Sequence, residues 1–268
     1  MNTSIRMYFR HAILCFFLLG LLSCGGDNSE SVNESPNVQI LFLGHDSEHH
    51  NSEQYMPMLA TALVKNGIQF TYTSNPDDLN KDNLAKFDGL AVYANIDEIT
   101  LEQEKAMLDF VGSGKALIPI HCASFCFRNS KEYVSIVGGQ FKEHGKGTFT
   151  ANLTPSGKEM LKGFNEFETW DETYVHQNIN PSIDILMERK DGDHIEPWTW
   201  TNEYKDGRMF YTAYGHDERT WSNPGFHDLM KRGILWAVGD KAAGKADKLS
   251  FPQPKYTEAK IPNYEKRD

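Results

Sequence analysis

The sequence predicts an α/β protein built on a mostly parallel sheet, with helices on both faces and an antiparallel hairpin late in the chain. Three observations carry this. Short apolar runs alternate with amphipathic stretches from Val38 to Ile120, the pattern of strand–helix–strand crossovers. Two later apolar runs flank Lys205-Asp206-Gly207, and Asp-Gly between such runs marks a tight hairpin. The span 38–240 is roughly 200 residues, enough for one domain with a sizeable core.

Taken in order, Val38 to Leu43 is a first strand ending at Gly44, followed by a loop from His45 to His50. Ser52 then precedes a helical pattern through Tyr55, Leu59, Leu63 and Val64. Gln69 to Thr73 gives a second strand, and Leu90 to Ala94 a third after Asp88-Gly89. Thr100 with Gln103 forms a capping box for a helix with Met107, Leu108 and Val111 on its apolar face, stopping at Gly112-Ser113-Gly114. Ala116 to Ile120 is a fourth strand with His121 at its end. After Val137 the rhythm changes. Thr148 to Leu153 reads as extended, Pro197 to Glu203 and Arg208 to Tyr214 as the hairpin, and Pro224 to Val238 as a closing helix.

Both ends differ from this middle. Arg6 and Arg10 precede the apolar run Ala12 to Leu22, too short to span a bilayer as a mature helix, so residues 1–23 read as a secretory leader. Leu21-Leu22-Ser23-Cys24 has the bacterial lipobox order, which makes Cys24 the expected lipid-carrying N-terminus. The expectation is therefore a cell-envelope location, anchored through lipid and facing the periplasm or the exterior. Residues 24–37 are mostly Gly, Asp, Asn, Ser and Glu without apolar periodicity and read as a flexible tether. Residues 241–268, with Pro252, Pro254 and Pro262, read as an extended tail.

A net charge of −10 excludes nucleic acid as a partner, because phosphate binding needs a basic footprint. Removal of the leader and lipidation of Cys24 leave Cys122 and Cys126, too few and too close for a disulfide framework. No internal repeat is evident.

Histidines stand where strands or loops end, and the carboxyl edge of an open α/β sheet is where such folds keep their sites. His121 follows a buried strand directly, at the position of a sharp strand-to-helix turn. Its neighbour Cys122 is a candidate nucleophile, with a small buried residue as the plainer alternative. Adjacent residues on a turn point apart, so His121 is not its base. His216 follows a strand and Gly215, with Asp217 and Glu218 next; a carboxylate there would fix its tautomer, or the group is a polar helix start. Gly138-Gly139 marks a tight turn or close backbone approach ahead of His144, itself either a ligand or a solvated residue. Asp171 to His176 lies between two predicted elements. Its Glu172 and Tyr174 beside Trp170 suit a sugar, whose rings stack on aromatics and whose hydroxyls bond to acids, while a capped turn with a buried Tyr and Trp is the alternative. His45, His49 and His50 crowd one loop, either exposed or supplying a metal ligand, whereas His194 and His227 are expected at the surface.

In this order the segments resemble the ThuA, or trehalose-utilisation, family. The carriers are Gly44-His45 with His49-His50, Ile120-His121, Gly138-Gly139-Gln140-Phe141 with His144, Asp171-Glu172-Thr173-Tyr174, Gly207 to Tyr211 with Gly215-His216, and Gly233 to Ala237. The resemblance implies a fold similar to class I glutamine amidotransferases, which is flavodoxin-like. Those enzymes carry a cysteine where this chain has His121, and an acid two residues beyond their histidine, as Glu218 follows His216. Glutamine hydrolysis is accordingly not expected.

The resemblance further implies carbohydrate metabolism beside partner oxidoreductases that make 3-keto sugars, and cleavage of a glycoside by elimination and hydration next to the keto group. The expected enzyme uses His121, His216 and Glu172 for acid/base or metal-assisted chemistry, with His50, His144 and His121 as candidate ligands for zinc or another divalent ion. Tyr174, Trp170 and Glu218 are the expected contacts to a small carbohydrate. Two alternatives stand beside it. One is a non-catalytic sugar-binding lipoprotein using Trp170, Tyr174, Trp198, Trp200 and Trp221; the other is a hydrolase acting through Cys122.

Overall fold

A computed structural model describes residues 37–246, apart from 46 and 48. The leader, Cys24, the tether up to residue 36 and the tail beyond residue 246 lie outside the described residues.

The chain runs β1 (Val38–Leu43), α1 (Ser52–Leu63), β2 (Ile68–Thr73), α2 (Lys81–Leu84), β3 (Gly89–Val92), α3 (Leu101–Gly112), β4 (Ala116–Pro119) and α4 (Lys131–Val137). It continues through β5 (Gln140–Thr150), β6 (Asn152–Leu153), α5 (Pro155–Met160), β7 (Glu168–Gln177), β8 (Asp184–Asp191), β9 (His194–Tyr204), β10 (Gly207–Thr212), α6 (Glu218–Trp221) and α7 (Pro224–Ala246). One sheet has the order β2-β1-β3-β4-β10-β9-β8-β6, and β5 pairs with β7 in a separate two-stranded ribbon. From β2 to β10 neighbouring strands are parallel; from β10 to β6 they are antiparallel.

Local signals explain much of this. Thr100 and Gln103 make both bonds of the capping box on α3, and Lys205-Asp206-Gly207 closes the β9–β10 hairpin, with Lys205 at φ 53. β3 and β4 are buried along their whole length, as strands covered on both faces must be. At α1 the cap is Asn51, which accepts the Gln54 N–H at 3.1 Å. Ser52 instead faces inward. Its Oγ donates to the His45 carbonyl at 2.8 Å and lies 2.9 Å from the Tyr72 hydroxyl, tying the loop after β1 to the sheet.

Two elements differ from expectation. Residues 171–176 do not lie between elements but in β7, paired along its length with an eleven-residue β5 that begins well before Thr148. The ribbon has charged residues on both faces, so no alternation of apolar and polar residues marks it. The closing helix also runs on past Val238, broken at Gly239 (φ 78, ψ 164), to Ala246. Burial of Ala242 and an ion pair from Lys245 to Asp88 at 3.1 Å hold that last turn, so 241–246 is helical rather than extended.

The carboxyl ends of β1, β3, β4 and β10 open on one edge of the sheet, and the β5–β7 ribbon stands over it.

Candidate functional site

His121 sits immediately beyond β4, where Ile120 still bridges to Thr212. Its φ is +49, a left-handed conformation that costs an L-residue about 1–2 kcal/mol. The side chain is fully buried and its Nδ1 lies 2.7 Å from the Ala213 carbonyl. A carbonyl only accepts, so Nδ1 carries the proton and Nε2 presents a lone pair. That Nε2 has no hydrogen-bond partner and faces Glu172 Oε2 at 3.4 Å. Burial holds the imidazole well below its ordinary pKa, so it stays neutral.

His216 enters from the loop after β10. Gly215 before it has φ +134, and a Cβ there would lie 3.3 Å from the His121 Cβ, so only glycine fits the crossing of the two loops. Asp171 fixes this loop, accepting the Gly215 N–H at 2.8 Å, the His216 N–H at 2.9 Å and the Thr220 hydroxyl at 2.8 Å. Burial raises the Asp171 carboxyl to about 7 against these bonds. The next residue on the strand, Glu172, points the other way, into the site. Its Oε2 is 3.3 Å from His216 Nδ1, which has no hydrogen-bond partner either. Burial lowers the His216 pKa, with Glu172 opposing.

His50 completes the group from the loop after β1. Its ring centroid is 5.2 Å from that of His121 and 5.3 Å from that of His216, and both of its buried nitrogens lack partners. Burial and the neighbouring imidazoles push it down to about 2. One donor atom each from His50, His121, Glu172 and His216 lies within 4.8 Å of the others, close enough to share one ion. His45 and Cys122 form a second such group that also uses His50.

Above the cluster is a cavity of about 460 Å³, within the range of about 300–1,000 Å³ common for small-molecule sites. The Tyr174 ring stacks on His121 at 4.0 Å between centroids, Phe141 lies 4.5 Å from Tyr174, and Phe125 extends this aromatic wall. Opposite, His144 Nδ1 is 3.3 Å and Lys146 Nζ 3.9 Å from Glu172 Oε1.

The structure thus brings together His50, His121, Glu172 and His216, with Tyr174 in the wall and His144 at the exposed rim. It does not bring in Trp170, which is absent from the lining and has the Arg219 guanidinium 3.8 Å over its ring. Nor does it bring in Glu218, which is exposed on the first turn of α6 and accepts from Gln54 at 3.3 Å. The carboxylates that meet the His216 loop are Glu172 and Asp171, because β7 passes beside it while α6 turns Glu218 outward. Trp198, Trp200 and Trp221 are fully buried core residues and offer no face to a sugar. Cys122 borders the cavity, but burial raises its thiol well above the ordinary range, so it is protonated. His176 is buried against Glu196, and His227 contacts the Trp221 carbonyl at 2.6 Å. Gly138 caps α4 at φ 83, where a Cβ would lie 2.3 Å from Ile183, so the Gly-Gly pair serves a tight turn. Sequence inspection missed Lys146, Phe125 and the anchoring role of Asp171. The adjacent acids Asp171-Glu172 were a usable signal, since a strand must send them to opposite sides.

A family model described as ThuA, trehalose utilisation, matches residues 39–237. Among solved structures, the chain is similar to a ThuA-like protein from Bacteroides uniformis, at 16% identity and TM-score 0.65, over 76% of this chain and 92% of that one. A ThuA-like protein from Parabacteroides merdae matches at 20% identity and TM-score 0.64, over 75% and 90% of the two chains. The fold also resembles part of a beta-galactosidase from Rahnella sp. R3, at 14% identity and TM-score 0.54, over 73% of this chain and 31% of that one. No curated protein matches the sequence.

Proposed function

The chain belongs to the ThuA, trehalose-utilisation family, and from that premise we propose that it is a metal-assisted enzyme acting on a disaccharide or its 3-keto derivative, with the ion held by His50, His121, His216 and Glu172. One observation carries the metal assignment. The lone pair of His121 Nε2 faces a carboxylate oxygen at 3.4 Å with no partner, beside further unpartnered imidazole nitrogens. Two acceptors repel unless a cation or a proton lies between them, and one ion would serve all of these unpartnered atoms at once. Three imidazoles and one carboxylate suit zinc first among divalent ions, and the Nδ1–H bond from His121 to a carbonyl is the usual outer support of such a ligand.

When bound, the ion would polarise a substrate oxygen as a Lewis acid. The chain's own residues supply the rest. Phe141, with Tyr174 packed against it, presents its ring to the C–H side of a sugar. His144, exposed at the rim with Nδ1 3.2 Å from the Gly145 carbonyl, removes the hydrogen on the carbon between the keto group and the glycosidic carbon. Lys146 faces the oxygen on which negative charge develops. The glycosidic C–O bond then breaks, the leaving oxygen takes a proton, and water adds to the double bond. A positioned base of this kind contributes about 10²–10⁴-fold. The keto sugar would come from a partner oxidoreductase, and a lipid on Cys24 would hold the enzyme on a bacterial envelope membrane.

The test measures metal in the purified protein and its turnover of trehalose and of 3-keto-trehalose. Stoichiometric zinc with product from either sugar, lost in His121→Ala, is expected. No bound metal together with unchanged turnover in His121→Ala overturns the proposal, and tight sugar binding without product makes the protein a carrier.

A further inference from the structure

A line of buried polar groups reaches the His121 backbone, and none of its members lines the cavity. It starts at the exposed His194, whose Nε2 is 2.8 Å from Glu196 Oε2. Glu196 Oε1 accepts from His176 twice, from the backbone N–H and at Nδ1, each at 2.8 Å. His176 Nε2 lies 3.0 Å from the Tyr211 hydroxyl. With Nδ1–H given to Glu196, His176 Nε2 presents a lone pair, so the single Tyr211 proton is shared between that nitrogen, the His121 carbonyl at 3.1 Å and Ser124 Oγ at 3.1 Å, while Ser124 Oγ donates to the same carbonyl at 3.1 Å. His176, Tyr211, Glu196 and Ser124 are all buried, each less than 10% exposed.

Burying a carboxylate, an imidazole and two hydroxyls is costly for a fold that could use apolar groups there. The line ends on a backbone carbonyl, which neither gives nor takes a proton, so it is no proton path into the site. What it does touch is the strained peptide of His121, at φ +49. A residue persists in that conformation only where its surroundings over-determine it. The imidazole is held separately, through Nδ1 and the Ala213 carbonyl.

We infer that Tyr211, Ser124, His176 and Glu196 are positioning residues that hold the His121 peptide in its left-handed turn and so aim Nε2 at His50, His216 and Glu172. This rests on His121 being a metal ligand. Loss of such outer support weakens metal binding by about 10–100-fold.

The experiment uses the full chain, stripped with chelator, and zinc alone as probe in competition with a chromophoric chelator. Cobalt absorption reports ligand geometry, and thermal unfolding of the metal-free protein reports stability. Tyr211→Phe keeps the ring and removes the shared oxygen; Ser124→Ala removes the second donor. Thr199→Val, which breaks the buried Thr199–Thr212 hydroxyl pair outside the line, is the control for a lost buried hydrogen bond. Zinc affinity falling 10-fold or more in Tyr211→Phe, with an altered cobalt spectrum, against no change in Thr199→Val, is expected. If Tyr211→Phe does not fold, Ser124→Ala decides, with a smaller fall in the same direction. Wild-type protein that binds zinc, with both variants equal to it, overturns the inference alone. Wild-type protein that binds no zinc overturns the metal assignment as well.

Discussion

Replacing Gly215 by alanine tests whether the crossing of the two histidine loops is as tight as the geometry requires. The φ of +134 at this residue is one L-residues rarely adopt, and holding alanine in a sparsely populated region costs about 1–3 kcal/mol. The new Cβ would lie 3.3 Å from both the His121 Cβ and the Ile120 Cγ2, and such overpacking typically costs another 1–3 kcal/mol or so. Relaxation is blocked on every side. The Gly215 N–H is bonded to Asp171 at 2.8 Å, and its carbonyl accepts from Tyr93 and from Trp221, each at 2.7 Å. A loss of about 3 kcal/mol lowers the melting temperature of a domain this size by about 6–12 °C. Because the clash is with His121 and the next residue is His216, zinc affinity falls with stability. Thermal unfolding with and without zinc measures both. Melting within about 1 °C of wild type, at unchanged zinc affinity, would refute the reasoning.

Zinc at a thousand times its dissociation constant stabilises a protein by about 4 kcal/mol, so chelation and reloading of the wild type move its melting point by roughly 8–16 °C; His121→Ala removes that shift. In the metal-free protein, acid acts early. The His50 pKa, lowered to about 2 by burial and its imidazole neighbours, makes its contribution complete above the unfolded value near 6.5 and progressively lost as pH falls below it. That loss amounts to about 2 kcal/mol by pH 5 from this residue alone. Urea midpoints that stay constant between pH 7.5 and 5 contradict it. The Cys122 thiol, raised by burial and by Cys126, is expected to resist iodoacetamide at pH 7.5 in the folded protein, and Cys122→Ala to keep turnover within a few-fold. Peptide mass spectrometry showing rapid labelling of Cys122 with loss of activity reverses that assignment.

The strands flanking His121, the capping box at Thr100 and the Asp-Gly hairpin were legible because each signal is complete within a few residues. His121 itself was legible for the same reason: it follows a buried strand directly. The β5–β7 ribbon was not. In β7, Glu172 faces the cavity cluster while Asp171 on the opposite side is buried against the Gly215-His216 loop, so both faces carry acidic side chains and the period of two disappears. Reading β7 as a segment between elements also hid the division of labour between Asp171, which anchors the Gly215-His216 loop, and Glu172, which faces the imidazoles. Glu218 showed the opposite failure. Nearness in sequence to His216 suggested a partner, but a helical turn carried it to the surface.

By itself, then, the sequence determined the α/β alternation, the strand ends and the histidines parked on them, since backbone propensity, caps and hydrophobic period act over one element. The tertiary structure decided which of those histidines meet. Placing β10 beside β4, and β1 beside β3, brings His216 and His50 to the edge where His121 already stands, and the ribbon lowers Glu172 onto all three. It also decided that Trp198, Trp200 and Trp221 fill the core rather than a binding face. Strand order is set by contacts between distant segments, and no local pattern records which segments those will be.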